Sequence, residues 1–216
     1  MANAKNKSAT YKLTYFNVRG RGEPIRFVLA ATGTPFDDKR VEGKDWPALK
    51  PSIPTHRLPY LQLTSSSGDI VGYEESLAIA RYLARKHNLM GQTDEEYYKI
   101  ERMIGECNDI DTEFYKIAFP PSPEAQGKLK DAFLKEQGPK LLDMVSRSLK
   151  ESGGKFVAGG KPSFGDFMLM TVMDHVDDID PDILKKYPEF SAHRAAVLQE
   201  FPKLAEYIKT RPHTTM

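Results

Sequence analysis

Residues 11–17 alternate apolar and polar side chains and are rich in aromatic and β-forming types, the period of a half-buried strand. Gly20 and Gly22 punctuate the run, and residues 24–31 then predict an apolar helix that ends near Gly33. Residues 36–41 predict a second strand, 46–50 a helical turn and 51–59 an irregular stretch. Residues 59–63 and 70–72 predict a strand pair, joined by a Ser- and Gly-rich turn over 65–69. Residues 75–87 predict a helix with Leu77, Ala80, Leu83 and Ala84 on one face and cations in its last turn. This β-α-β, β-β-α order is that of a small mixed sheet covered by helices.

From about Asp94 onward every strong periodicity is helical, over residues 98–119, 126–151, 164–176 and 202–209. Gly138-Pro139 should kink or restart the second of these. The change of pattern falls at 88–93, where Gly91 is followed by a helix-starting Thr93 and three acids. The expected division is therefore an α/β domain over 11–88 and an all-helical domain over 94–216. Residues 1–10, polar throughout, read as a disordered tail.

Composition narrows the class. A chain of 216 residues with 40% hydrophobic and 28% charged side chains is ordinary for a folded, water-soluble protein. No apolar run approaches the roughly 20 residues needed to span a bilayer, and the polar N-terminus lacks the apolar core of a secretory signal. The single cysteine, Cys107, excludes an internal disulfide, a CxxC redox pair and a cysteine-based zinc site, and reads as inert packing. The expectation is a cytoplasmic protein with no membrane partner. Residues 1–90 hold 14 cations against 8 acids, and residues 91–216 hold 17 against 22. The cations are scattered rather than clustered, so no nucleic-acid partner is implied.

Several separated blocks carry a resemblance. The run Tyr11-Lys-Leu-Thr-Tyr-Phe-Asn-Val-Arg-Gly-Arg-Gly-Glu, the Asp45-Trp-Pro turn, Arg57-Leu-Pro-Tyr, Glu75-Ser-Leu-Ala-Ile-Ala-Arg-Tyr and the closing Arg211-Pro together resemble the sigma-class glutathione S-transferases. The likeness spans about residues 11–212 and is strongest to the flatworm and haematopoietic prostaglandin D synthase branches. It implies a thioredoxin-like N-terminal domain, an all-α C-terminal domain, a homodimer, and glutathione as co-substrate with no metal required.

The resemblance assigns roles residue by residue. Tyr15 would hydrogen-bond the glutathione sulfur, because the thiolate and not the thiol is the nucleophile. Arg21 would add positive field over the sulfur, Phe16 would border the tripeptide, and Arg26 would be structural. Trp46 and Lys50, four apart on one helical face, would meet the glycyl end through an indole N–H and an ammonium. Leu58, before a cis Pro59, would offer its backbone to the cysteinyl unit as a strand edge does. His56 and Arg57 flank it without a catalytic role. Glu75 and Ser76 open a helix, whose free N–H groups and dipole favour the γ-glutamyl carboxylate. Asp109 would reach the γ-glutamyl amine of the neighbouring subunit's site. Val18, Gly20, Met168, Val172 and Met216 match positions around the electrophile pocket. Gly105 and Asn108 stand where the prostaglandin synthase branch has metal-supporting carboxylates, which argues against a metal. Ser163-x-x-Asp166 reads as a structural helix cap.

The leading expectation is a glutathione transferase attacking hydrophobic electrophiles, a detoxifying activity. A glutathione-dependent prostaglandin D isomerase using the same site is one alternative. A non-catalytic, crystallin-like or ligand-sequestering protein is the other.

Overall fold

The alternating runs form one four-stranded sheet in the computed structural model, which describes residues 9–214. Its strands are β1 (Thr10–Phe16), β2 (Phe36–Val41), β3 (Tyr60–Thr64) and β4 (Ile70–Tyr73), in the order β2-β1-β3-β4. β1 and β2 run parallel across the helix α1 (Glu23–Ala31), and β3 and β4 add antiparallel. A short helix α2 (Trp46–Leu49) and a 3-10 turn (Lys50–Ser52) lead into β3, and α3 (Ser76–Lys86) follows β4. Leu13 and Leu61 from the sheet, Ile25, Phe27 and Leu29 from α1, and Ile79 and Leu83 from α3 are all buried in one core.

The rest of the described chain is helical. It comprises α4 (Asp94–Ala118), α5 (Pro123–Ala132), α6 (Gly138–Glu151), α7 (Phe164–Ile179), α8 (Pro181–Leu184), α9 (Pro188–Glu200) and α10 (Pro202–Thr210). Thr93 caps α4 by accepting from the Glu96 N–H, while the Glu96 carboxylate accepts from the Thr93 N–H in return. Thirteen of the sixteen residues of α7 are buried, the composition of a helix surrounded on all sides. Its first turn is fixed by Asp166. One carboxylate oxygen accepts from the N–H (2.6 Å) and hydroxyl (2.7 Å) of Ser163, the other from the Val157 N–H and His193 Nε2, both at 2.8 Å.

Two expectations change in detail. The helix expected over 126–151 is interrupted by a single π turn, Phe133–Gln137, between α5 and α6. Pro139 has no N–H to return to the carbonyl four residues back, so the ladder loosens and α6 restarts at Gly138, the expected place. Thr10, expected in the tail, is the first residue of β1, paired with Thr64. The remainder of that tail up to Ser8, and Met216, lie outside the described residues.

A buried ionic cluster joins the sheet half to the helical half. Glu23, fully buried at the start of α1, accepts from Arg26 Nη1 (3.1 Å), the Tyr207 hydroxyl of α10 (3.1 Å) and Arg211 Nη1 (2.7 Å). Arg211 also donates to Asp174 of α7 at 2.7 Å, and Arg26 Nε donates to Asp38 of β2 at 3.0 Å. Burial and the Glu23 charge hold the Tyr207 phenol above its ordinary pKa, so it remains a donor here. A buried pair stripped of one member leaves an uncompensated charge. Glu23→Ala should therefore lose about 3–5 kcal/mol of stability, read by urea unfolding, whereas Lys12→Ala on an exposed pair should lose under about 1 kcal/mol.

Candidate active site

Tyr15, next to last in β1, has its ring buried, and the turn after the strand wraps over it. The chain passes through Gly20–Gly22 as one turn of 3-10 helix, with Gly20 at φ +37°, before α1 begins. A Cβ on Gly20 would stand 2.9 Å from the Tyr15 hydroxyl, and one on Gly22 would stand 2.5 Å from its Cδ1. Both glycines are needed because the backbone lies directly on the ring. That contact brings the Arg21 N–H to the phenol oxygen, donating at 3.1 Å. The hydroxyl thus accepts from the protein, and its own proton is left to donate.

Electrostatics keep that proton in place. Burial raises the Tyr15 pKa above its ordinary value, and the Arg21 N–H with the Arg21 and Arg26 charges only partly opposes the shift. The Arg26 guanidinium lies 5.7 Å from the Tyr15 ring centroid. It is structural in the sense expected, because it donates to Val18 O at 2.8 Å and ties the turn to Glu23 and Asp38.

A cavity of about 220 Å³ opens beside this turn, between the starts of α1 and α3 and one side of α4. Arg21 and Met168 line it together with Glu75 and Ser76 at the head of α3. Glu75 is held at φ +66°, a left-handed conformation unusual for a residue with a side chain, and its side chain is 78% exposed. From α4, Asn108, Asp111, Thr112 and Tyr115 face the cavity at spacings of three, four and seven, one helical stripe. The Arg21 guanidinium sits 5.0 Å over the Tyr115 ring. Burial, with the nearby Asp111 charge, lifts the Tyr115 phenol far above its ordinary pKa.

The other expected residues distribute as follows. Phe16 and Trp46 pack edge to face with centroids 5.6 Å apart, so the end of β1 and α2 form one wall. Lys50 is exposed at the next turn, and its carbonyl bonds to His56 Nδ1 at 2.9 Å. The Leu58-Pro59 bond is cis, and Leu58 precedes β3 outside the sheet ladder. Val18 and Gly20 lie on the turn beside Tyr15. Val172 is fully buried in α7 and does not line the cavity. Asp109 is exposed on α4, one residue and so about 100° around the helix from Asn108, away from this cavity. Cys107 is fully buried, and burial holds its thiol well above the ordinary range. Among the described residues no group of three His, Cys, Asp or Glu side chains is placed to hold a metal ion.

Asp111 and Tyr115 were absent from the sequence expectations. Their only signal there is the helical stripe they share with Asn108 and Thr112, and a polar stripe on a long helix ordinarily faces water.

A glycine-pinned tyrosine at the end of β1, an exposed helix start across the cleft and a second, helical domain closing it define the class. The chain belongs to the glutathione S-transferase family. It matches the glutathione S-transferase N-terminal domain over residues 11–85 and the C-terminal domain over 108–211. It is 47% identical over 205 residues to the class-mu 28 kDa glutathione S-transferase isozyme of Schistosoma japonicum, covering 94% of this chain and 98% of that one. It is 34% identical to the hematopoietic prostaglandin D synthase of Gallus gallus, covering 95% and 98%. Among solved structures it is similar to the Fasciola hepatica sigma class enzyme, with TM-score 0.92, 41% identity and coverage of 97% and 100%.

The fit of the turn over Tyr15 is directly testable. Gly22→Ala should displace the ring and lower kcat/KM at least about tenfold, with a stability loss of about 1–3 kcal/mol from overpacking. Unchanged turnover with standard electrophiles would show that the contact is slack.

Proposed function

We propose that this protein conjugates glutathione to hydrophobic electrophiles, with Tyr15 stabilising the thiolate. The observation that carries the reading is the Arg21 N–H bonded to the Tyr15 oxygen, which leaves the hydroxyl proton for the sulfur. A free thiol has a pKa of about 8.5, and lowering it by about 2 units needs roughly 2.7 kcal/mol of differential stabilisation. A hydrogen bond to a charged group supplies about 1.5–3 kcal/mol, so one phenol provides most of the shift and the Arg21 charge assists.

The remaining residues hold the tripeptide. Trp46 and Lys50 take the glycyl carboxylate, and the Leu58 backbone pairs with the cysteinyl unit. Ser76 at the start of α3 takes the γ-glutamyl carboxylate, and Glu75 faces its α-amine. The strained φ of Glu75 supports this, because such conformations persist where a site requires them. Val18, Gly20 and Met168 border the electrophile, with Val172 behind them.

The working unit in this reading is a homodimer. Ile70, Val71, Tyr82, Tyr97 and Tyr98 are exposed large apolar side chains, and Tyr82 and Tyr97 line one open groove of about 680 Å³ between α3 and α4. A second copy covering that face would bring Asp109 to the neighbouring γ-glutamyl amine. No described helix is long and apolar enough to cross a membrane, and we place the reaction in the cytoplasm. The likeness to prostaglandin D synthases supports a second reading, isomerisation of a prostaglandin endoperoxide at the same thiolate; analysis of the product formed from prostaglandin H2 decides it.

Thiolate absorbance of the glutathione complex is the primary test. Ionisation of the bound thiol governs the rate, so activity rises with pH through the thiol pKa, and a lowered pKa moves the half-rise to lower pH. The Tyr15 phenol, its own pKa raised, stays protonated across that window and does not contribute the rise. Tyr15→Phe should move the half-rise up toward about 8.5. An unshifted thiol in both proteins would remove Tyr15 from the chemistry.

Asp109 makes a separate prediction. Asp109→Ala should raise the KM for glutathione about tenfold with little change in kcat, the pattern of lost ground-state binding. Sedimentation should show a dimer, and a monomer with full glutathione affinity would exclude the shared site.

A further inference from the structure

The two residues that bracket the turn over Tyr15 are tied to two carboxylates one helical turn apart on α7. Arg19 precedes Gly20–Gly22, and its Nη2 donates to Asp178 Oδ2 while Nη1 stands 3.8 Å from Asp174 Oδ2. Glu23 follows the turn and reaches the same Asp174 through Arg211, which donates to Glu23 and to Asp174 at 2.7 Å each. Asp174 and Asp178 are four residues apart, so they share one face of α7. The helix thus acts on the turn as a ruler, holding its start and its end at a fixed spacing.

Local rules oppose this placement of the acids. The C-terminal end of a helix carries partial negative charge and favours cations. The last turn of α7 has no basic residue and holds Asp177 and Asp178 instead. Arg19 supplies the missing cation to Asp178 from 159 residues away in sequence. Its side chain is aimed for that purpose: Arg19 is buried, and its Nε has no partner while the two terminal nitrogens meet the acids. A planar guanidinium presents separate nitrogens to two carboxylates, where a lysine would offer one compact ammonium.

The composition of the turn makes this tie matter. Gly20 and Gly22 have no side chain by which to be anchored, and the Arg21 guanidinium lies over the Tyr115 ring. Arg26 holds the Val18 and Arg19 carbonyls from the sheet side, at 2.8 and 3.4 Å. Arg19 supplies the matching anchor from the helical side, one residue before Gly20 at φ +37°. The Arg21 N–H that bonds the Tyr15 oxygen lies between Arg19 and Glu23. We propose that Asp178 is a positioning residue for thiolate formation, acting through Arg19 to keep the Arg21 N–H on the Tyr15 oxygen. The inference rests on the Tyr15 thiolate reading. Asp174 shares the task, but its carboxylate also serves Arg194 and Arg211, so Asp178 is the residue that isolates it.

The test follows the thiolate absorbance of bound glutathione against pH, with kcat and KM, in the native enzyme and two variants. Asp178→Ala should move the half-rise up toward the value of a free thiol, about 8.5. It should lower kcat/KM at neutral pH about tenfold, because a small misplacement of a catalytic group is amplified in the rate. The KM for glutathione should change less than about fivefold, since the loss falls on the reacting state more than on ground-state binding. Arg194→Ala removes an ion pair from the same patch but leaves Arg19 on Asp178, and its half-rise should match the native one. A merely structural role would lower stability in both variants and move the half-rise in neither. A native half-rise in folded Asp178→Ala overturns the proposal, as does an equal move in Arg194→Ala. Should Asp178→Ala not fold, Arg19→Met/Asp178→Leu removes both charges together, a replacement that buried pairs tolerate. The half-rise should move there too, and its staying native is equally fatal. An unshifted thiol in the native complex overturns the Tyr15 reading and this inference with it. A shifted native thiol that loss of the Asp178 carboxylate leaves unmoved overturns this inference alone.

Discussion

A carboxylate sealed from water sets the geometry of this molecule. Glu23 is fully buried, and a charge so placed is tolerable only when its partners are fixed around it. Arg26 comes from the same helix, three residues on, whereas Tyr207 and Arg211 come from the end of the chain. Arg26 spreads the constraint further. Its Nη1 reaches Val18 O as well as Glu23, and its Nε reaches both oxygens of Asp38. A lysine, with one compact ammonium on a flexible stem, lacks the planar fork needed to meet acceptors on three sides. The turn from Val18 to Glu23 is thus held at both ends, which brings the Arg21 N–H onto Tyr15.

Burial then performs two tasks that pull in different directions. It excludes water from Tyr15, which raises the cost of ionising the phenol and keeps it a donor. It also strengthens whatever the phenol donates to, since a hydrogen bond to an anion is worth more where water competes less. Tyr115 carries the first effect further, with Asp111 adding to the penalty on its ionised form. The cleft and the turn beside it therefore hold two phenols that burial keeps protonated and one guanidinium, with no described lysine lining the cleft.

Much of the framework was legible because its residues answer to local rules. The alternation of β1, the second strand at Phe36–Val41 and the capped start of α4 each follow from side chains within a few positions. The π turn before Pro139 was legible as a break but not in kind, since its width depends on how Phe133 packs over Gly138. α9 left almost no periodic signal. Its buried residues, Phe190, His193 and Val197, include a histidine that sequence patterning counts as polar and Asp166 makes internal. Arg26 reads locally as a surface cation, and only its burial and its bonds to Glu23, the Val18 carbonyl and Asp38 of β2 show otherwise. Tyr15 itself reads as one more aromatic on a strand, and it took several separated blocks in order to single it out.

The residues missed, Asp111 and Tyr115, show where that legibility ends. α4 buries Ile100, Met103, Ile104, Cys107, Ile110, Phe114 and Ile117 on one face, and periodicity recovers that stripe. It says nothing about which of the flanking polar stripes meets water and which meets a cleft. Asp109 and Asp111 are two positions apart, carry the same charge and border the same apolar face. One is solvent-exposed, and the other bonds a histidine from α7 and lines the cleft that Arg21 also lines. The difference is made by α7, a helix more than fifty residues downstream whose surrounded position forces His175 inward. A carboxylate comes to line the cleft here with one oxygen held by a buried histidine of another helix.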